Sequence, residues 1–306
     1  MSNNYYEKQV ALLLDALPFI AKESCFAVKG GTAINLFLRD MPRLSVDIDL
    51  TYLPLESREI TLTHLAAALN KIALNIEQHL PNAAVIKHFT VRDRRLTKLF
   101  VTQQNVQIVV EPNEILRGSV FSPVKTDLCN QAKNRFERNL VDIKVLSTAD
   151  LYAGKICAAL DRQHARDLFD IKLLFENEGI TDQIRQAFII YLASSPRPMH
   201  ELLQPNLIDI RSTFEKEFSG MTLTPTSHEE LSAAREKLIE TISSQLTHSE
   251  RRFLLSVKQG EPQWDLLNIP GIENLPALQW KVMNVKKLPE NKKKELIQKL
   301  ENVLQL

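Results

Sequence analysis

Glycine is scarce in this chain, with 8 in 306 residues, and two of the eight, Gly30 and Gly31, are adjacent. Backbone freedom is therefore concentrated at one point near the N-terminus. Cysteine is scarcer still. Cys25, Cys129 and Cys157 are widely spaced, odd in number and form no CxxC pair. That pattern excludes a disulfide framework and suggests reduced, partly buried thiols in a cytoplasmic protein. Neither sign of charge is in excess, with 38 Lys and Arg against 37 Asp and Glu and a formal net charge of +1. No global basic field is available to hold a polynucleotide, so any nucleic-acid contact must use a local patch. No apolar run reaches the roughly 18 residues of a membrane-spanning helix. Residues 10–21 are apolar enough for a short signal core, but they contain Asp15 and Pro18 and follow Glu7 as well as Lys8. An amphipathic first helix is the better reading.

What the chain does have is 44% hydrophobic and 25% charged residues, the balance of a soluble globular protein with one large domain or two ordinary ones. Val10, Leu13, Leu14 and Leu17 recur at helical spacing and predict a helix over residues 5–21. Phe26-Ala27-Val28 reads as a short buried strand, and residues 29–32 as a turn leading into a helix over 33–38. Residues 46–52 alternate with period two and predict a strand, closed by Pro54. A helical pattern over 56–80 precedes three strand-like runs, 84–91, 97–103 and 105–111, with Asn105 in the last hairpin turn. Ser147 and Asp150 look like a capping box opening a helix that holds Lys155. A second helix is predicted over 166–176, and beyond Gly179 the pattern is mostly helical, with loops near 196–198, 222–227 and 259–276. The Lys292-Lys293-Lys294 run reads as a solvated helix face.

Chemistry is concentrated in Gly30-Gly31-Thr32 and, eleven residues after Thr32, in Arg43-x-Ser45-x-Asp47-x-Asp49. Asp47 and Asp49 are two apart on a strand, so both carboxylates face one way while Val46, Ile48 and Leu50 face the other. Paired carboxylates repel, and a hard divalent cation such as Mg²⁺ or Mn²⁺ relieves that repulsion. The glycines permit close backbone approach to a ligand. The helix after them offers free N–H groups to a phosphate, and Thr32 adds a hydroxyl. Glu111, ending the run from Val106, can supply a third carboxylate for metal binding or be a strand-end glutamate with no role. Arg92, Arg94, Arg95 and Lys98 form a basic strip around a predicted turn, suited to an RNA backbone or simply solvated.

These residues resemble the opening motif of the AbiEii/AbiGii-type toxin nucleotidyltransferases, in the DNA polymerase β-like superfamily. Lys155-Ile156-Cys157-Ala158-Ala159-Leu160-Asp161-Arg162, followed by Arg166-Asp167-Leu168-Phe169-Asp170-Ile171, is similar to that family's lysine and "RDxxD" motifs. The resemblance covers about residues 26–175. It implies that Gly30, Gly31 and Thr32 cradle a triphosphate, with Arg43 and Ser45 beside them, and that Asp47 and Asp49 bind Mg²⁺. It also implies that Lys155 neutralises phosphate charge and that Asp170 or Asp167 is the late acidic residue.

Read from the residues alone, Lys155, Arg162 and Arg166 share one face of a continuous helix, which suits a triphosphate or nucleic-acid backbone. A break at 162–166 would instead place Asp167 and Asp170 on the first turns of a new helix, where they favour its dipole. His164 reads as a surface residue. The expected architecture is α+β, with a nucleotidyltransferase core over residues 1–178 and a helical domain over 179–306. The expected reaction transfers NMP from an NTP to an acceptor hydroxyl. By resemblance the acceptor is RNA, with the tRNA 3′ end leading. The setting would be a toxin–antitoxin or phage-defence pair with a cognate antitoxin encoded alongside. A DxD-type glycosyltransferase and a catalytically degenerate nucleotide- or partner-binding module are the competing readings.

Overall fold

The computed structural model of the chain describes residues 2–91 and 93–306, and the side chains of 5–91 and 93–306. They form two compact units, one comprising the chain up to Ser147 together with Gly220–Pro225, the other Thr148–Ser219 and Thr226–Leu306.

The first unit is built on one seven-stranded mixed sheet. Its strands are β1 (Phe26–Lys29), β2 (Asp47–Tyr52), β3 (Ala84–Phe89), β4 (Leu96–Gln103), β5 (Val106–Asn113), β6 (Val124–Thr126) and β7 (Ile143–Val145), in the order β3-β4-β5-β2-β1-β7-β6. Helices α1 (Ser2–Ala21) and α3 (Arg58–His79) pack on one face of the sheet. The apolar stripe expected on α1 is there, with Val10, Leu13, Leu14 and Leu17 fully buried. Beneath it lie Ile48, Leu50, Leu99, Val101, Ile108 and Val110, every second residue of three adjacent strands. The β4–β5 hairpin turns on Gln104 and Asn105, both at positive φ (48° and 66°), the conformation of a two-residue type I′ turn. One short helix, α4 (Asn130–Phe136), lies between β6 and β7.

Two features depart from the sequence pattern. The helix after β1 begins at Gly30 itself, as α2 (Gly30–Ala33), and continues as a π-helical turn over Ile34–Leu38. Gly30 keeps the left-handed φ of a turn (69°), so the turn out of β1 and the first turn of the helix overlap at the glycines. Strands β6 and β7 carry no readable signal, since three residues cannot display a period, yet β7 pairs parallel with β1 and extends the sheet.

The second unit is helical: α5 (Thr148–Arg162), α6 (Ala165–Glu176), α7 (Asp182–Ser194), α8 (Met199–Leu203), α9 (Arg211–Glu217), α10 (His228–Gln245), α11 (His248–Gln259), α12 (Pro276–Lys286) and α13 (Glu290–Leu304). Residues 148–178, grouped with the catalytic core in the sequence reading, pack within this unit, because α5 lies along α7 and α6 along α10. Capping boxes open α10 (Ser227 with Glu230) and α11 (Thr247 with Glu250). On α13, Lys292 and Lys299 pair with Glu295 on a solvated face. Cys25, Cys129 and Cys157 are unpaired and partly buried. Among the described residues no helix is long and apolar enough to cross a membrane.

Candidate active site

Strand β2 presents Asp47 exposed and Asp49 half-buried on one face, while Ile48 and Leu50 are wholly buried on the other. The two carboxylates thus stand on the side of the sheet opposite α1 and α3. Parallel pairing with β5 sets Asp47 beside Val109 and Asp49 beside Glu111. Antiparallel pairing with β1 sets Lys29 beside Asp49. Glu111 shares the carboxylate face and lies 3.6 Å from the ammonium of Lys98 on β4. No three His, Cys, Asp or Glu residues among those described are grouped tightly enough to hold a metal ion as they stand.

The two glycines are explained by their neighbours. A Cβ on Gly30 would sit 2.6 Å from Asp49 Oδ2, and Gly30 also has φ +69°. A Cβ on Gly31 would sit 2.7 Å from Arg43 Nη2 and 3.0 Å from Ser45 Oγ. Contacts this short exclude any side chain unless the partner moves. The close approach that the sequence suggested for a ligand is made first to the motif's own residues.

Thr32 belongs to the same assembly. It is 1% exposed, and its hydroxyl lies 2.5 Å from the carbonyl oxygen of Asp47 and 3.0 Å from Ser45 Oγ. With a single proton to give, Thr32 donates to the carbonyl, and the serine hydroxyl can fill the second contact. Thr32 therefore fastens α2 to the start of β2. Asn35, fully buried, donates to Gly31 O at 2.9 Å. Arg43 is 3% exposed and donates to Leu44 O at 3.0 Å.

The segment carrying Arg43 is held by residues far along the chain. Leu44 N–H donates to Met221 O (2.9 Å) and Leu223 N–H to Pro42 O (3.0 Å), with Arg43 and Thr222 forming an antiparallel bridge. Neither Asn35 nor the 220–225 crossing has a local signature in the sequence.

In the second unit, α5 and α6 meet through a buried charge cluster. Lys155 Nζ lies 2.7 Å from Asp167 Oδ1 and 3.0 Å from Asp170 Oδ2, with side-chain exposures of 7%, 1% and 0%. Arg162, largely exposed, closes on the other side of Asp167, its Nε 2.6 Å from Oδ2 and its Nη2 3.1 Å from Oδ1. Burial alone would push the Asp167 carboxyl up; Lys155 and Arg162 outweigh it and hold it well below the usual carboxylate range. The continuous 155–166 face is not formed, because the helix breaks between Arg162 and Ala165. The break has its own cap. His164 Nδ1 accepts from Arg166 N–H at 3.1 Å, while Nε2 lies 3.0 Å from Glu217. Asp150 is 1% exposed and accepts from the Tyr191 hydroxyl on α7 at 3.1 Å.

The basic strip is less free than its sequence suggests. Arg95 pairs with Asp93 (2.9 Å) and Glu114 (3.0 Å), Lys98 faces Glu111, and Arg92 lies outside the described residues.

A mixed sheet presenting two carboxylates beside a glycine pair suits nucleotidyl transfer, and the family match makes the class plain: a nucleotidyltransferase. The model of the AbiEii nucleotidyltransferase toxins of type IV toxin–antitoxin systems matches residues 12–283, and the chain belongs to that family. It is similar in fold to MenT4, a nucleotidyltransferase toxin from Mycobacterium tuberculosis H37Rv, with a TM-score of 0.62 at 14% identity, over 99% of this chain and 95% of that one. No curated protein matches the chain.

Proposed function

We propose that this toxin transfers NMP from an NTP to an acceptor hydroxyl, that the acceptor is RNA with the tRNA 3′ end the leading candidate, and that the reaction depends on a divalent cation. The observation that carries the reading is the placement of Asp47 and Asp49 on one face of β2, opposite the core, with Asp49 against the backbone of Gly30. Two like charges this close on a strand fit a Mg²⁺ or Mn²⁺ ion, whose preferred ligands are carboxylate oxygens. Glu111, next to Asp49 in register, is the proposed third ligand, and it would exchange its loose contact with Lys98 for the ion. When bound, the ion supplies charge neutralisation for the phosphates and a more acidic acceptor hydroxyl.

The chain's own residues position the reactants. The first N–H groups of α2, at Gly30, Gly31 and Thr32, lack partners within the helix and suit phosphate oxygens. Arg43 and Ser45, packed against Gly31, hold that backbone in place and add a cation beside it. The acceptor oxygen bonds to the α-phosphorus, the bond to the β-phosphate oxygen breaks, and pyrophosphate leaves with the hydroxyl proton passing to solvent. Positioning and electrostatics supply most of the rate in such chemistry. Lys155 and Asp170, with Asp167, Arg162 and Arg166, are proposed as required for transfer, so that the functional core spans residues 1–178. The burial of the Lys155 ammonium between two aspartates favours a lysine held in one position over a mobile one.

The cellular setting proposed is the cytoplasm, in a phage-defence or toxin–antitoxin pair with an antitoxin encoded alongside. Neutralisation by that antitoxin need not require direct contact. The test is incubation with each α-labelled NTP and total RNA. Label should enter RNA only with a divalent cation, and Asp47→Asn and Asp49→Asn should each remove both the label and growth inhibition while staying folded. Full activity in either variant rejects the metal assignment.

A further inference from the structure

The carboxylate face of the sheet continues sideways, through β5 and β4, to the edge strand β3. In one row His88 pairs with Lys98, Lys98 reaches Glu111, and Glu111 pairs with Asp49. In the next row Ile86 pairs with Phe100, Phe100 with Val109, and Val109 with Asp47. Side chains in register share a face, so Ile86, His88, Lys98 and Phe100 stand on the same side as the paired carboxylates. This face is open. Ile86 is 57% exposed, His88 is exposed, and Phe100 and Lys98 are half-buried. The His88 ring stands edge-on to Phe100 with centroids 6.2 Å apart, and Lys98 Nζ lies 5.9 Å from the Phe100 centroid.

We propose that the β3–β5 face is the platform on which the single-stranded 3′ end of the acceptor RNA lies, with its bases on Phe100, His88 and Ile86 and a phosphate at Lys98. The proposal rests on the reading of the acceptor as RNA. Flat rings on an open sheet, interleaved with cations, match what single strands offer: a π-face on every base and a charge between bases. The core of a protein interface is depleted of charge, whereas here Lys98 stands beside Phe100 in the middle of the face. Distance agrees as well. Strands lie about 4.8 Å apart, which puts Phe100 about 10 Å from the β2 carboxylates, within reach of the nucleotides just behind a 3′ hydroxyl held at Asp47 and Asp49. The 3.6 Å contact of Lys98 with the half-exposed Glu111 is a loose surface pair that a phosphate can displace.

The experiment measures binding without turnover. The full chain is titrated into an oligoribonucleotide with an unpaired 3′ end and a fluorescein at its 5′ end, and anisotropy is followed. Phe100→Leu keeps apolar volume but removes the ring, and should weaken binding roughly tenfold, while Phe100→Trp should retain it. Lys98→Gln should reduce the salt slope of binding by about 0.7. Calorimetric titration of NTP into Phe100→Leu without RNA should give the wild-type affinity, which shows that the fold and the carboxylate side are intact.

Absence of binding by the wild type, or affinity for Phe100→Leu within about twofold of it, overturns the platform. So does loss of self-association of copies in Phe100→Leu with RNA affinity unchanged, which would make the face a protein contact. Binding that depends on Phe100 supports the platform even if no label enters RNA, an outcome that would instead reject the proposed acceptor.

Discussion

At the scale of single residues, the site is governed by space that two glycines leave empty. Gly30 is constrained twice, by a positive φ of 69° and by Asp49 Oδ2 at 2.6 Å from where a Cβ would stand. An alanine there costs about 1–2 kcal/mol for the left-handed backbone alone. It must also push the Asp49 carboxylate aside. Gly30→Ala should therefore remain folded, with a melting temperature a few degrees lower, yet lose about a hundredfold or more in transfer, since displacing a catalytic group by about 1 Å has that effect. Calorimetry and the labelled-NTP assay on the same preparation separate the two losses. Transfer at the wild-type rate would mean that the position of Asp49 is not critical.

The same reasoning changes the meaning of a substitution at Gly31. Arg43, buried and bonded to Leu44 O, would have to move, so weaker nucleotide binding could arise without any direct contact between Gly31 and phosphate.

At the scale of elements, what the sequence made legible was whatever repeats locally. The period-two pattern of 46–52 set Asp47 and Asp49 apart from Ile48 and Leu50, and α1 and the β4–β5 hairpin followed from spacing and turn residues. Strands β6 and β7 were too short to carry a period. The cap on α6 was hidden because histidine seldom serves there and its second partner, Glu217, lies 53 residues on. The Lys155 cluster was hidden for a similar reason: its aspartates are on the next helix, and only the break at 162–165 turns them towards the lysine.

That cluster gives the second unit a definite acid response. Asp167 stays ionised when folded at pH values where an unfolded aspartate, near 4, takes up a proton. Protons therefore bind the unfolded chain preferentially. The stabilisation from Asp167 is fully present above about pH 4 and is lost as pH falls below it. Helical ellipticity followed by circular dichroism from pH 7 to 2 should show unfolding setting in below pH 4 for the wild type. Lys155→Met takes from the two buried carboxylates the cation they share and leaves Asp167 with Arg162, which costs about 3–5 kcal/mol at neutral pH, and the loss of stability below pH 4 should then be smaller than in the wild type. An acid profile identical to wild type in Lys155→Met would show that the lysine does not set the state of Asp167. The substitution is also a poor probe of catalysis by itself, because loss of fold accompanies loss of charge.

At the scale of the whole molecule, the chain leaves its first unit at Ser147, returns for Gly220–Pro225 and leaves again. Those six residues hold the segment before β2 that presents Arg43 and Ser45. Leu223 separates the backbone effect from packing. Its side chain is 41% exposed, so little is buried there, while its N–H donates to Pro42 O at 3.0 Å. Proline lacks that donor, fixes its own φ at about −65°, and asks that Thr222 before it be extended, as its bridge with Arg43 already requires.

Leu223→Pro should thus remove one hydrogen bond, at about 1 kcal/mol and a fall of roughly 2–4 °C in melting temperature. If the crossing only braces the fold, nothing further changes. If it positions Arg43 beside Gly31, the KM for NTP should rise at least several-fold, because small displacements of a positioning cation carry large kinetic penalties. The rise should be absent in Leu223→Ala, which keeps the N–H. A lowered melting temperature with an unchanged KM in Leu223→Pro would reduce the 220–225 segment to a brace and remove the long-range support from the account of nucleotide binding.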